Sequence, residues 1–302
     1  MIELRGNIPP VITPLRPDGT VDLPAVARLT EHLVHGGVSG LFVLGSCGEG
    51  PTLTTAVRTE VVKAFQAEAA GRVPVLAGVP EAGTRRVIEA AEQAMAAGAD
   101  AVVVMAPQYF VFDGHEPVAE HLHAVAASTP APIVLYNLPS ATQNPITPEV
   151  VDAVAVLPNV VALKDSSADW DAYTQLSDAA RQHGLAVFQG AERLIARSLD
   201  HGADGAVAGI ANIDPDVVTA AIGAAAAGDR AALARAQGRI DTLFGLYEAG
   251  FWLSALKTAA SLRRLCGPEL TAPLPRLGPG GADRIRAVLR RAGVPVLDAA
   301  DE

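Results

Sequence analysis

Residues 160–167 read Val160-Val161-Ala162-Leu163-Lys164-Asp165-Ser166-Ser167. Four apolar residues run without polar alternation and then break into charge and hydroxyl. A run of that kind suits a strand buried on both faces, as in a parallel sheet. Seven further runs share the character, at residues 10–15, 40–44, 74–77, 101–105, 132–135, 185–188 and 205–208. Each run is followed by a segment of helical period, at 24–35, 55–71, 84–97, 117–128, 148–156, 170–183, 191–201 and 215–227. Gly36, Gly71, Gly98, Gly184 and Gly202 stand at helix ends, where a left-handed C-cap is expected. Eight such units predict an α/β fold, a closed (β/α)8 TIM barrel. An open doubly wound sheet alternates in the same way, so the strand count carries the reading. The expected organisation is a barrel over residues 1–228 and a C-terminal helical extension over 229–302. No linker or low-complexity stretch separates them, so one structural unit is expected.

The chain has 302 residues, half of them hydrophobic, enough for one large core. Its net charge of −10 repels phosphate backbones and argues against nucleic acid as a partner. The basic run at 284–291 has helical spacing and reads as a solvated helix face. No apolar stretch reaches the roughly 18 residues of a membrane span, and residues 1–10 lack the pattern of a secretory signal. Cys47 and Cys266 are expected as free thiols in a reducing cytoplasm. His121 and His123 face different ways on a helix, and His32 and His35 lack a third ligand, so no metal site is expected. Lysine is scarce, with Lys63, Lys164 and Lys257 the only three. Chemistry that needs a side-chain primary amine therefore has three candidates.

In a barrel, function sits in the loops after the C-terminal strand ends. After the second strand comes Gly45-Ser46-Cys47-Gly48-Glu49-Gly50. Small residues there let successive backbone N–H groups converge on one anion. No Gly-Lys-Ser/Thr follows, so the guest is a carboxylate or a single phosphate rather than a nucleotide; otherwise the segment is a plain tight turn. Tyr136 ends the fifth strand and is either a rim tyrosine or a hydroxyl aimed into the barrel mouth. Lys164 ends the sixth. It either snorkels to solvent or, desolvated and beside charge, becomes a nucleophilic amine. Lys63 and Lys257 fall within helical segments and read as surface or helix-packing lysines. The loop Pro107-Gln108-Tyr109-Phe110-Val111-Phe112 reads as an aromatic contact surface.

Five motifs in this order give a further signal: Pro10-Val11-Ile12-Thr13-Pro14-Leu15 with Asp18-Gly19 downstream, Gly45 to Glu49, Tyr136-Asn137-Leu138-Pro139-Ser140, Leu163 to Ser167, and Gly202 through Asn212. Over residues 8–267 the chain resembles the family of dihydrodipicolinate synthase and N-acetylneuraminate lyase, the pyruvate-dependent class I aldolases. By that resemblance Lys164 is the Schiff-base lysine, Tyr136 the proton-transferring tyrosine, and Ser46 and Cys47 the pair that holds the 2-oxo acid carboxylate. Tyr109 resembles the tyrosine lent to a neighbouring subunit, while Gly190 and Ile210 match pocket positions after the seventh and eighth strands. The resemblance implies a homotetramer and no cofactor beyond the covalent imine.

Two departures bear on substrate. Cys47 stands where the family usually has threonine, and a thiol is the weaker donor. Ala141 stands where the lysine-pathway synthases carry an arginine for a second carboxylate. Losing that guanidinium removes a bidentate clamp. The resemblance then implies an aldolase or lyase for a 4-hydroxy-2-oxo acid of the 2-keto-3-deoxy sugar acid type, its partners being a 2-oxo acid and an uncharged aldehyde. In the expected mechanism Tyr136, hydrogen-bonded to Ser46, removes the hydroxyl proton of the distal fragment. The alternatives are a synthase or dehydratase using the same lysine, and a non-catalytic anion-binding barrel.

Overall fold

A computed structural model describes residues 2–296, so Met1 and the last six residues of the expected extension, 297–302, lie outside the described residues. Eight strands alternate with helices: β1 (Gly6–Asn7), β2 (Leu41–Val43), β3 (Val75–Gly78), β4 (Ala101–Met105), β5 (Ile133–Asn137), β6 (Val160–Asp165), β7 (Ala186–Gln189) and β8 (Gly205–Ala206). The principal helices between and after them are α1 (Leu23–His35), α2 (Thr55–Ala69), α3 (Thr84–Ala96), α4 (Glu116–Ala127), the short α5 (Pro139–Thr142), α6 (Pro148–Val154), α7 (Trp170–Gln182), α8 (Ile195–Asp200) and α9 (Pro215–Ala226). Every paired strand is parallel, in the order β1-β8-β7-β6-β5-β4-β3-β2. Hydrogen bonds close the ring between its ends: Ser39 N–H donates to Asn7 (2.7 Å), Phe42 N–H to Pro9 (3.0 Å) and Val11 N–H to the Phe42 carbonyl (2.7 Å). The chain is thus the expected (β/α)8 barrel.

The first strand lies earlier than the sequence suggests. β1 is Gly6–Asn7, not residues 10–15. Pro9 and Pro10 have no N–H to donate, so pairing there thins to a single parallel bridge between Pro10 and Phe42, made by the Pro9 carbonyl and the Val11 amide. Beyond them the chain is held piecemeal, as where Ile12 N–H donates to the Asn212 side chain (3.0 Å). The segment 191–201 is also not one helix but a 3-10 turn, Glu192–Leu194, followed by α8. There the Glu192 side chain turns inward instead of lying on a helix face, and its Oε1 accepts the Ile210 amide (2.9 Å). At the end of α1 the left-handed residue is Gly37 (φ +73°), not Gly36, which is at φ −75°. Gly36 is needed for closeness, since a Cβ there would run into the Pro215 ring that opens α9.

Two apolar layers follow from strand alternation. One lies between strands and helices; the other fills the barrel interior with Ile8, Phe42, Leu76, Val103, Val134 and Phe188. At one level of the barrel Met105, Tyr136, Lys164, Phe188 and Gly205 stand side by side in register. The first and last strands converge so closely there that a Cβ at Gly205 would collide with the Gly6 backbone. The extension supplies α10 (Arg230–Phe244), a 3-10 turn at Gly245–Ala249, α11 (Trp252–Leu262) and α12 (Gly281–Arg291). α10 packs along α9, while α11 and α12 pack on each other and on the 3-10 turn. In α12, Ile285, Val288 and Leu289 are buried and the arginines occupy the wetter face. Among the described residues no helix is long and apolar enough to cross a membrane.

Candidate active site

The ends of β5 and β6 are pinned before any side chain enters the mouth. The buried Asp165 carboxylate accepts from Asn137 Nδ2 (2.7 Å) and from the Ser167 hydroxyl (2.8 Å). Asn137 Oδ1 in turn accepts the Ile146 amide (2.9 Å). Burial raises the Asp165 pKa above the ordinary carboxylate value, while the hydroxyl and amide donors oppose the shift. This lattice fixes the two residues that precede Asn137 and Asp165, namely Tyr136 and Lys164. Lys164 is buried at 4% exposure, with Nζ 3.7 Å from the centre of the Tyr136 ring and 5.0 Å from that of Phe42. It does not snorkel to solvent.

Above Lys164 opens a cavity of about 690 Å³ at the C-terminal strand ends. Ser46 and Cys47 line it from the loop after β2, Tyr136 and Ala141 from β5 and α5, and Gly190 from the loop after β7. Gly190 must lack a side chain, because a Cβ would stand 3.0 Å from Lys164 Cε and overlap the Ser166 hydroxyl. In the Gly45–Gly50 loop, Glu49 N–H and Gly50 N–H bond back to Ser46 and Gly45 (3.3 and 3.2 Å). The amides of Ser46, Cys47 and Gly48 donate to no other described residue. That leaves a run of free donors such as an anion requires. Burial pushes the Cys47 thiol up to about 12, so it stays protonated through the neutral range even though the Lys164 charge pulls the other way.

Other expectations fare differently. The Tyr136 hydroxyl makes no hydrogen bond to Ser46; the two residues share the cavity wall. Ile210 is fully buried, and its neighbour Gly209 lines the cavity in its place. Tyr109 is 78% exposed at φ +82°, stacked edge-on with Phe110 and outside the cavity wall. Of the two lysines read as surface or helix-packing residues, Lys63 is exposed on α2, whereas Lys257 is completely buried within α11 and ion-paired to Glu49 (2.6 Å). Cys47 and Cys266 are buried free thiols. Among the described residues no cluster of three or more His, Cys, Asp or Glu could hold a metal ion.

Sequence reasoning missed part of the wall. Glu192 is 6% exposed and lines the cavity; its Oε1 also accepts from the Tyr247 hydroxyl (3.1 Å), while its Oε2 is buried without a partner. Burial lifts its pKa from 4.5 to about 7, against the hydrogen bonds from Ile210 and Tyr247 and the charge of Lys164. Tyr247, Phe244 and Trp252 all line the cavity from the extension. A Cβ at Gly209 would stand 2.8 Å from the Tyr247 hydroxyl, so this close approach also depends on glycine. The only local hint of Glu192 was its place directly after Gly190-Ala191 at a strand end. Tyr247 gave none, since it reaches the mouth from a segment without barrel strands.

Fold and cavity together set the class: a (β/α)8 barrel with a buried lysine on its sixth strand beside a buried tyrosine, under a cavity at the C-terminal strand ends. The comparisons narrow it: the sequence matches the dihydrodipicolinate synthetase family over residues 3–290, and the chain belongs to that family of carbon–carbon lyases. An uncharacterized DapA-like lyase of Halobacterium salinarum is 37% identical, over 90% of this chain and 89% of its own. The 4-hydroxy-tetrahydrodipicolinate synthase of Sorangium cellulosum is 34% identical, over 96% of both chains. Among solved structures, YagE, a prophage protein of this family from E. coli K12 in complex with pyruvate, superposes with a TM-score of 0.92 at 27% identity, covering 97% of this chain and 100% of its own. A monomeric dihydrodipicolinate synthase variant also superposes at 0.92, with 25% identity over 97% of this chain and 98% of its own.

Proposed function

We propose that the chain is a class I aldolase that cleaves or forms a 4-hydroxy-2-oxo acid of the 2-keto-3-deoxy sugar acid type, with pyruvate as one fragment. The observation that carries the reading is the placement of Lys164 against Tyr136 at the floor of the cavity. The unprotonated Lys164 amine adds to the C2 ketone and water leaves, giving an iminium that draws electrons from C3. The substrate carboxylate lies on the amides of Ser46 and Cys47. Tyr136 gives its phenolic proton to the departing C2 hydroxyl, and the phenolate then takes the C4 hydroxyl proton as the C3–C4 bond breaks and the aldehyde departs. The enamine is protonated at C3, and water hydrolyses the imine to release pyruvate. The iminium is the electron sink, so the scheme calls on no metal or organic cofactor.

The distal end of the cavity supports an uncharged fragment. Ala141 offers no charge there, and the unpartnered Glu192 oxygen suits a hydroxyl. An ionised Glu192 would repel a second carboxylate. One observation favours a second reading, a synthase for a dicarboxylic product. Arg193 lines the cavity rim, with its guanidinium carbon 4.4 Å from the centre of the Phe244 ring and no carboxylate partner among the described residues. Product analysis with pyruvate and a panel of hydroxyaldehydes and semialdehydes separates the two. The buried free thiols support a reducing compartment such as the cytoplasm.

The decisive experiment is borohydride reduction in the presence of pyruvate, followed by peptide mass analysis. A reduced pyruvate adduct is expected on Lys164 and is lost in Lys164→Arg. Wild-type protein without an adduct at saturating pyruvate overturns the aldolase and synthase readings together and leaves the non-catalytic barrel.

A further inference from the structure

Two unusual features meet behind the anion loop. Leu44 and Glu49, which bracket Ser46 and Cys47, both adopt left-handed backbone, at φ +59° and +58°. Neither is glycine, so both are uphill conformations that surrounding contacts must hold. The loop has no slack: a Cβ at Gly48 would stand 2.7 Å from the Leu44 nitrogen, and one at Gly50 would overlap the Leu44 carbonyl.

What holds Glu49 comes from the far end of the chain. Its side chain is fully buried, and Oε1 accepts from the equally buried Lys257 ammonium on α11 at 2.6 Å. Oε2 accepts from the Thr271 amide (2.7 Å) and hydroxyl (2.8 Å). Lys257 also donates to the Glu269 carbonyl. The pairs of this cluster reach across 208 and 222 positions of sequence. A buried ion pair is a poor device for stability alone, because well-packed apolar residues serve as well. It is a good device for direction, since its geometry fixes where the attached backbone points. α11 also carries Trp252, a wall of the same cavity.

We infer that the Glu49–Lys257 pair, with Thr271, is a positioning device that aims the Ser46–Cys47 amides at the substrate carboxylate and couples that aim to the C-terminal helices. The inference rests on the aldolase reading, in which this loop holds the 2-oxo acid. Glu49 touches no substrate and acts through the loop it belongs to.

The test uses the full-length protein as wild type, Glu49→Gln and Thr271→Val, with pyruvate as the probe. Glu49→Gln keeps the shape and removes the charge; Thr271→Val removes one hydroxyl donor and leaves the ion pair. Each is measured for cooperative urea unfolding, for the pyruvate concentration giving half-maximal borohydride trapping, and for the trapping rate at saturation. Glu49→Gln is expected to raise the half-maximal concentration about tenfold with a saturated rate within about threefold of wild type. Thr271→Val is expected to raise it about threefold. A purely structural pair would lower the urea midpoint and leave the pyruvate dependence alone. Folded Glu49→Gln with a half-maximal concentration within about twofold of wild type overturns the inference. If Glu49→Gln does not fold, an unshifted Thr271→Val overturns it instead. Wild type that cannot be trapped removes the aldolase reading and this inference together, whereas trapped wild type with unshifted variants removes this inference alone.

Discussion

Glu192 shows what one residue can reveal in a buried wall. Its carboxyl is raised to about 7 from 4.5, so the folded state binds the proton more tightly than the unfolded chain does. The stabilisation this gives is complete below pH 4.5 and is lost as pH rises through about 7. Wild type should therefore lose stability relative to Glu192→Gln over that window, by at most about 3 kcal/mol. Urea midpoints of the two proteins at pH 5 and pH 8 measure it; parallel curves would mean that the carboxyl titrates normally. Cys47 offers a second test. Its protonated thiol is a weak donor beside free amides. Cys47→Thr should lower the pyruvate KM about threefold, and an unchanged KM would take the side chain out of the carboxylate site.

The elements explain why these residues meet at all. Strands β5 and β6 were legible because their side chains are apolar through to the polar break. Tyr136 and Lys164 fall at that break and in register, so the sequence placed both at the mouth. The strand β1 was misplaced because Val11, Ile12 and Leu15 are as apolar as any strand. Only pairing shows that the two successive prolines, lacking N–H donors, leave a single bridge to β2 there while the regular ladder with β8 lies earlier, at Gly6 and Asn7. The loop after β7 was misread for a related reason, as a helical period cannot show that Glu192 turns inward to accept a backbone amide. At that loop, Gly190→Ala should press on the Lys164 stem and slow imine trapping about tenfold while leaving the circular dichroism spectrum intact. Trapping at the wild-type rate would show that the lysine stem has room to spare.

At the scale of the whole molecule, the extension completes the barrel. Phe244, Tyr247 and Trp252 form part of the cavity wall, and Lys257 reaches Glu49 in the Gly45–Gly50 loop. A chain cut at residue 228 should therefore fail to trap pyruvate even where it can be recovered in folded form; trapping by such a fragment would show that the barrel alone builds the site. The exposed run Tyr109, Phe110 and Val111 belongs to the same scale. In the homotetramer that the family resemblance implies, a neighbouring subunit is expected to cover this run, since aromatic residues are enriched at contact surfaces. Light scattering of wild type should give a mass well above the single-chain 31.0 kDa, falling in Tyr109→Ala/Phe110→Ala; a wild-type monomer removes that assembly.

Apolar periodicity, strand count and the polar residues at strand ends sufficed for the barrel, the lysine, the tyrosine and the small-residue loop, because each is set by neighbours close in sequence. Glu192 with Tyr247, and Glu49 with Lys257, were decided only by tertiary structure. Their partners lie 55 and 208 residues apart. No local pattern marks such a pair, because burial and contact at that separation follow from how the barrel closes and how its last helices return across the mouth.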